Sequence, residues 1–370
     1  MRVLAASAAL LPLLAGAEGR FNCPTIVAPP LATNVTSLHP AHVDFVAAMG
    51  DSITAAFAVR SSLYEGRDIS WSAGVGSADH LTLPYLLQQY NTRVKVQGAS
   101  TTEVLPVDIA HMPHNDYHPK TDFLNVAESS GAVHRGSMEE QWAFLKSSAQ
   151  QYDAAAFKTG WKVVTVWMTA NDVCGECDAP LANTEYLSDW TARTQSMLVN
   201  ISRTFERVYV NLVSTLDLSN IARIQKTKAG CAIEHRILNE CGCIDRGNAT
   251  QLAMLDTNVA AMNAQLHGLA QRWRAKLLAE DRWDMAVVVQ PFQERLGASL
   301  DWHWLNTLDC FHPSELGHES LAVGLWNSML CDSEGRKTRC GATLNASTAP
   351  RCPTPESVFY TGPDVVPSAP

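Results

Sequence analysis

A chain of 370 residues with 46% hydrophobic side chains has enough apolar mass for a full core, as one large domain or two small ones. Its 37 acidic side chains outnumber 28 basic ones, for a formal charge of −9, and no run of Lys and Arg appears, which argues against nucleic acid as a partner. Ten cysteines, an even set beginning at Cys23, point to an oxidising compartment and to disulfides.

In chain order, Met1-Arg2, an apolar stretch from Val3 to Leu14 and the small residues Ala15-Gly16-Ala17 predict a secretory signal peptide over residues 1–17. That stretch is too short to cross about 30 Å of hydrocarbon, and no second long apolar segment follows. A secreted protein without a transmembrane segment is therefore expected. Residues 18–42 carry Pro24, Pro29, Pro30 and Pro40 and are read as an extended lead-in. Asn34, Asn200, Asn248 and Asn345 each head a sequon and are the expected glycosylation sites.

The expected domain spans residues 43–331. Val43 to Met49 reads as a buried first strand, Gly50 as the turn, and Ile53 to Val59 as the first turns of a helix. Lys162 to Met168, Arg207 to Val213 and Met285 to Gln290 are further β-branched runs of strand length, with Val94 to Gln97 a weaker candidate. Between them Met138 to Phe157, Thr184 to Phe205 and Leu252 to Leu278 read as helices, and Ser320 to Leu330 follows the last strand. Strands alternating with helices predict an α/β fold: three α/β/α layers around a central parallel sheet.

Residues 60–137 fit this rhythm poorly and are expected to be functional surface. His111, His114 and His118 lie there without helical or cysteine partners and read as loop histidines, so no metal is expected. Cys174-Gly-Glu-Cys177 and Cys241-Gly-Cys243 lack matched zinc spacing. Local disulfides are expected instead: Cys174 with Cys177, Cys231 with Cys241 or Cys243, and Cys331 with Cys340 or Cys352, the connectivity staying open. Residues 332–370 form a Cys-containing tail rich in Pro, Ser and Thr.

Four short blocks carry chemistry. Gly50-Asp51-Ser52 stands where the first strand meets the first helix, a position that exposes a hydroxyl at the carboxyl edge of the sheet. Asp309-Cys-Phe-His312 sets a carboxylate three residues before an imidazole, the pair a serine nucleophile needs as orienter and base. His318 is a rival base, but its helical-side position suits a structural role better. Thr169-Ala-Asn171-Asp172 follows a strand directly, so that the Asn171 amide can donate to an oxyanion. Asn125-Val-Ala-Glu-Ser-Ser-Gly131-Ala132 offers a glycine whose N–H can approach the same oxygen.

These four blocks, in this order, resemble the GDSL/SGNH hydrolases, and within them the phospholipase B-like group, through Asn125-Val-Ala, Trp161-Lys-Val-Val-Thr-Val, Ala170-Asn-Asp-Val-Cys174, Asp309-Cys-Phe-His-Pro-Ser314 and Leu325-Trp-Asn-Ser-Met-Leu330. The resemblance implies a flavodoxin-like α/β/α fold, Ser52 as nucleophile, His312 as base and Asp309 as its partner. It also implies an oxyanion hole from the Ser52 N–H, the Gly131 N–H and the Asn171 side chain, with no cofactor. Thr169 stands where the family has glycine, and one extra residue separates Asn125 from Gly131, leaving Gly98 as an alternative donor. The implied activity is a serine esterase or lipase acting on a phospholipid or lysophospholipid at a membrane or micelle surface; ten tryptophans would fit interfacial contact, though most tryptophans are simply core residues. A carbohydrate O-acetyl esterase on the same scaffold and a non-catalytic secreted binding protein are the alternatives.

Overall fold

Four apolar runs pair into one parallel sheet: β1 (Val43–Gly50), β2 (Trp161–Trp167), β3 (Val208–Val213) and β4 (Met285–Gln290), lying side by side in that order. Nearly every residue in them is buried, as expected of strands covered on both faces. The computed structural model describes residues 21–101, 103–104, 118–227, 231, 240–294, 300, 302–331, 340 and 348–362. The expected signal peptide at 1–17, His111, His114 and Asn345 lie outside the described residues.

The sheet continues beyond β1 in a segment the sequence did not mark as a strand. Ala48 N–H donates to the Leu124 carbonyl (3.0 Å), Val126 N–H to the Ala48 carbonyl (2.9 Å) and Glu128 N–H to the Gly50 carbonyl (3.1 Å). Residues 124–128 therefore run parallel along the free side of β1. Val94 to Gln97 is not a strand: Val96 N–H donates to the Gln88 side chain instead.

The short helix α1 (Ser52–Ala55) follows β1, and α2 (Ser137–Ala149) and α3 (Ala154–Thr159) precede β2. After β2 come α4 (Ala170–Val173) and α5 (Glu185–Thr204), then α6 (Ala249–Ala279) between β3 and β4, and α7 (Glu315–Met329). Consecutive parallel strands need right-handed crossovers, which puts α2, α3, α5 and α6 on one face. The step from β1 to residues 124–128 runs the opposite way, and its helical turn Leu83–Gln88 covers the other face with α7, which it touches. One continuous apolar core joins the sheet to both helical layers.

Two helices depart from expectation. The stretch read as one helix from Met138 breaks between Ala149 and Ala154, where Asp153 accepts from Ala156 N–H (2.8 Å) and starts a new helix as its N-cap. The first helix stops at Ala55 because the next residues turn back: Ala56 and Ala58 adopt left-handed φ of 62° and 56°, and Phe57 pairs with Glu65.

Disulfide pairing is the main correction to the sequence reading. Cys174 bonds Cys241 and Cys177 bonds Cys243, as two neighbouring rungs between the segment after α4 and the start of a later helix. Cys231 bonds Cys310, Cys23 bonds Cys352, and only Cys331–Cys340 is local. Cysteines close in sequence here present their sulfurs to a common distant partner segment rather than to each other, a geometry that spacing alone cannot reveal. Among the described residues no helix is long and apolar enough to cross a membrane.

Candidate active site

The carboxyl ends of β1 and β2 build the site. Gly50 closes β1, and a Cβ there would stand 2.4 Å from Thr54 Oγ1 and 2.8 Å from the Trp167 carbonyl, so only glycine allows the turn. Gln141 of α2 clamps both sides of this peptide, its Oε1 accepting from Gly50 N–H (2.9 Å) and its Nε2 donating to the Gly50 carbonyl (2.7 Å). Asp51 then caps α1 by accepting from Ile53 N–H (2.9 Å). Ser52 is thereby fixed as the first residue of α1.

Ser52 Oγ lies 2.7 Å from His312 Nε2, although the residues are 260 positions apart in the chain. His312 Nδ1 lies 2.8 Å from Asp309 Oδ2. The Asp309 carboxylate is itself held rigidly: Oδ1 accepts from Asn306 Nδ2 (2.9 Å), Phe311 N–H (2.8 Å) and His312 N–H (3.0 Å). Asn306 binds the loop from the other side, its Oδ1 accepting from Leu308 N–H and Asp309 N–H. Phe57 and Phe311 stand edge-on to the imidazole at 5.0 and 5.1 Å. With Nδ1–H donated to Asp309, Nε2 is the basic nitrogen facing the serine hydroxyl, and the geometry permits proton transfer from Ser52.

Burial disfavours the charged imidazole, but Asp309, and after it Glu240, outweigh that cost and hold the His312 pKa well above 6.5. Asp309 is buried as well, yet His312 and its hydrogen bonds bring its pKa below the ordinary 3.8. Asp51 behaves oppositely: burial pushes it up to about 7, and its Oδ2 has no hydrogen-bond partner. His318 does not reach Ser52. Its Nδ1 accepts from Trp71 N–H (3.4 Å), and burial lowers its pKa to about 3, so it is a neutral core histidine.

Asn171, on α4 directly after β2, donates from Nδ2 to the Gly131 carbonyl (3.0 Å), bringing the second and third blocks together. The Gly131 N–H, expected to be available, donates to the Glu128 carbonyl at 2.9 Å. Ser130, at φ 64°, sits in the tight turn that points the amide back into its own loop. Gly98 packs on the backbone of Gly74. Asp172 anchors the same loop, accepting from Val133 N–H (2.9 Å), His134 N–H (3.0 Å) and His134 Nδ1 (2.6 Å).

Gln141, Asn306 and Glu240 are contributors that the sequence reading did not single out, and none carries a local signal beyond its residue type; Asp172 lay within the Asn171 block without a role assigned to it. Glu240, Asp309 and His312 place ligating atoms within 4.8 Å of one another. Nδ1 and Nε2 of His312 are both committed, to Asp309 and Ser52, so this imidazole has no nitrogen left for an ion. Of the sequons, Asn200 and Asn248 are exposed and Asn34 is partly so, while Asn248 also caps α6.

A parallel sheet of this kind with a serine, imidazole and carboxylate in series at its carboxyl edge has the layout of an α/β serine hydrolase. Residues 46–324 match the family model of GDSL-like lipases/acylhydrolases, and the chain belongs to that family, an ester hydrolase by class. It is 31% identical over 343 residues to human "Phospholipase B1, membrane-associated" and 29% identical over 344 residues to the mouse protein of that name. Each alignment covers 88% of this chain but 21% of the relative, so the chain spans about a fifth of their length. Among solved structures, an acetylxylan esterase from Geobacillus stearothermophilus aligns over 77% of this chain and 93% of its own, at 15% identity and TM-score 0.35.

Proposed function

We propose that this protein is a secreted serine esterase that forms an acyl-enzyme on Ser52 and hydrolyses phospholipids or lysophospholipids with release of fatty acid. The observation that carries the reading is the unbroken series from Ser52 Oγ through His312 to Asp309, at 2.7 and 2.8 Å. In the first step Ser52 Oγ attacks the ester carbonyl as its proton passes to His312 Nε2, and Asp309 stabilises the imidazolium. The oxyanion receives hydrogen bonds from the Ser52 N–H and from Asn171 Nδ2, which stands beside the Gly131 loop. His312 then gives its proton to the leaving alcohol. Water attacks the acyl-enzyme with His312 again as base, which restores Ser52 and frees the carboxylic acid.

Support for a lipid ester comes from the likeness to phospholipase B1 over 88% of the chain. Five disulfides among the described residues suit the oxidising environment that export would provide. The test is hydrolysis of a short-chain p-nitrophenyl ester beside Ser52→Ala, followed by fatty-acid release from lysophosphatidylcholine. The proposal expects both activities in the wild type and neither in the variant. Ester cleavage without fatty-acid release would overturn the lipid assignment, and activity surviving in Ser52→Ala would overturn the acyl-enzyme.

A further inference from the structure

His312 is flanked by two carboxylates, and a serine–histidine–carboxylate series needs only one. Besides Asp309, Glu240 Oε2 stands 3.2 Å from Nδ1. That oxygen is buried without a hydrogen-bond partner, because the Nδ1–H already points to Asp309 Oδ2. A carboxylate oxygen so placed interacts with the imidazole through charge rather than through a shared proton.

One disulfide adjoins Glu240 and a second ties the His312 loop to the same connecting region. Cys241, next to Glu240, is bonded to Cys174 at the end of α4, the helix that carries Asn171. Cys310, between Asp309 and His312, is bonded to Cys231 in the same connecting region as Glu240. Cys243 N–H donates to the Cys174 carbonyl (3.1 Å), and Gln225 Nε2 donates to the Cys310 carbonyl (3.2 Å), adding backbone anchors to both bridges. The loops bearing Asn171, Glu240 and His312 are thus stapled to one another covalently.

We propose that Glu240 is a positioning residue for the acyl transfer, a second carboxylate held beside the Cys174–Cys241 bridge that stabilises the His312 imidazolium formed as Ser52 attacks. The inference rests on the reading of Ser52 as nucleophile. Among the described residues, the other titratable groups that act on the ring are Asp51 and His318. Asp51 approaches from the nucleophile turn, while His318 lies on α7 with Arg60 beyond it. Neither Asp51 nor His318 contacts Nδ1, so the second negative charge at that atom is supplied by Glu240. A carboxylate at this distance raises an imidazole pKa and lowers the energy of the charged intermediate by the same interaction.

The experiment is the pH dependence of kcat/KM for a p-nitrophenyl ester with wild type, Glu240→Gln, Glu240→Asp and Ser52→Ala. The acid limb reports the imidazole of the free enzyme, which must be neutral to accept a proton. Removing a neighbouring negative charge lowers that pKa, so the limb in Glu240→Gln should move to lower pH by about one unit. The plateau should fall by up to about tenfold, the rate equivalent of one unit of imidazolium stabilisation. Glu240→Asp should lie between the two, and it carries the test alone if Glu240→Gln does not fold. A limb that stays at the wild-type position in the folded variants, whatever the loss in rate, would overturn the proposal and leave Glu240 a packing residue. Activity persisting in Ser52→Ala would instead strike the underlying acyl-enzyme reading, so the two failures are distinguishable.

Discussion

Replacing Asp309 by asparagine isolates one proton. The new amide keeps its oxygen where Oδ1 accepts from Asn306, Phe311 and His312, so the loop retains its hydrogen bonds. Its NH2 takes the place of Oδ2, 2.8 Å from His312 Nδ1, and presents a donor to an N–H that was itself donating. The Nδ1–H can then turn only to Glu240 Oε2, 3.2 Å away; with Glu240→Ala added that acceptor is gone too, the imidazole moves its proton to Nε2, and the nitrogen facing Ser52 is no longer a base. Loss of the correct tautomer costs about 10⁴-fold in kcat in other serine hydrolases, about 5.5 kcal/mol of barrier. The assay is p-nitrophenyl ester hydrolysis at the plateau pH, with the melting temperature measured in parallel. The expected outcome is a rate loss of that order in a double variant that still folds. A folded Asp309→Asn, Glu240→Ala double variant within tenfold of wild type would refute the assignment of Asp309 as the orienting carboxylate.

Three other outcomes follow from the same geometry. If Asn171 serves the oxyanion as proposed, Asn171→Ala should lower kcat by about 10²-fold to 10³-fold with little change in KM, because that charge exists only in the transition state. In the wild type the acid limb of kcat/KM should lie above pH 6.5, since the carboxylates around His312 raise its pKa and the protonated ring cannot act as base. Asp51 tests a stability effect. With a folded pKa of about 7 against an ordinary 3.8, the native state holds its proton more tightly, and ionising it costs stability as pH rises toward 7. The stability of Asp51→Asn relative to wild type should therefore grow by about 3 kcal/mol from pH 5 to pH 8, read by denaturant unfolding at each pH.

What was legible in the sequence is what depends on neighbours in the chain. Buried parallel strands read as continuous apolar runs, so β1 to β4 appear within a residue or so of their bounds. Asp309 and His312 meet across three residues, and their spacing alone implies the pairing. Gln141 grips Gly50 from 91 residues away, and Glu240 reaches His312 beside disulfides formed over separations of 67 and 79; no local pattern encodes either. The strand-like segment 124–128 was hidden because it is short and polar at Asn125. At Gly131 the sequence could not show that the amide turns into its own loop, to the Glu128 carbonyl.

The most direct measurement is covalent trapping. Incubation of the intact protein with a serine-directed alkyl phosphonate, followed by peptide mass spectrometry, should place one adduct on Ser52 and abolish esterase activity in step with labelling. Full ester hydrolysis with Ser52 unmodified, or an adduct on a different serine that tracks the loss of activity, would contradict Ser52 as the nucleophile.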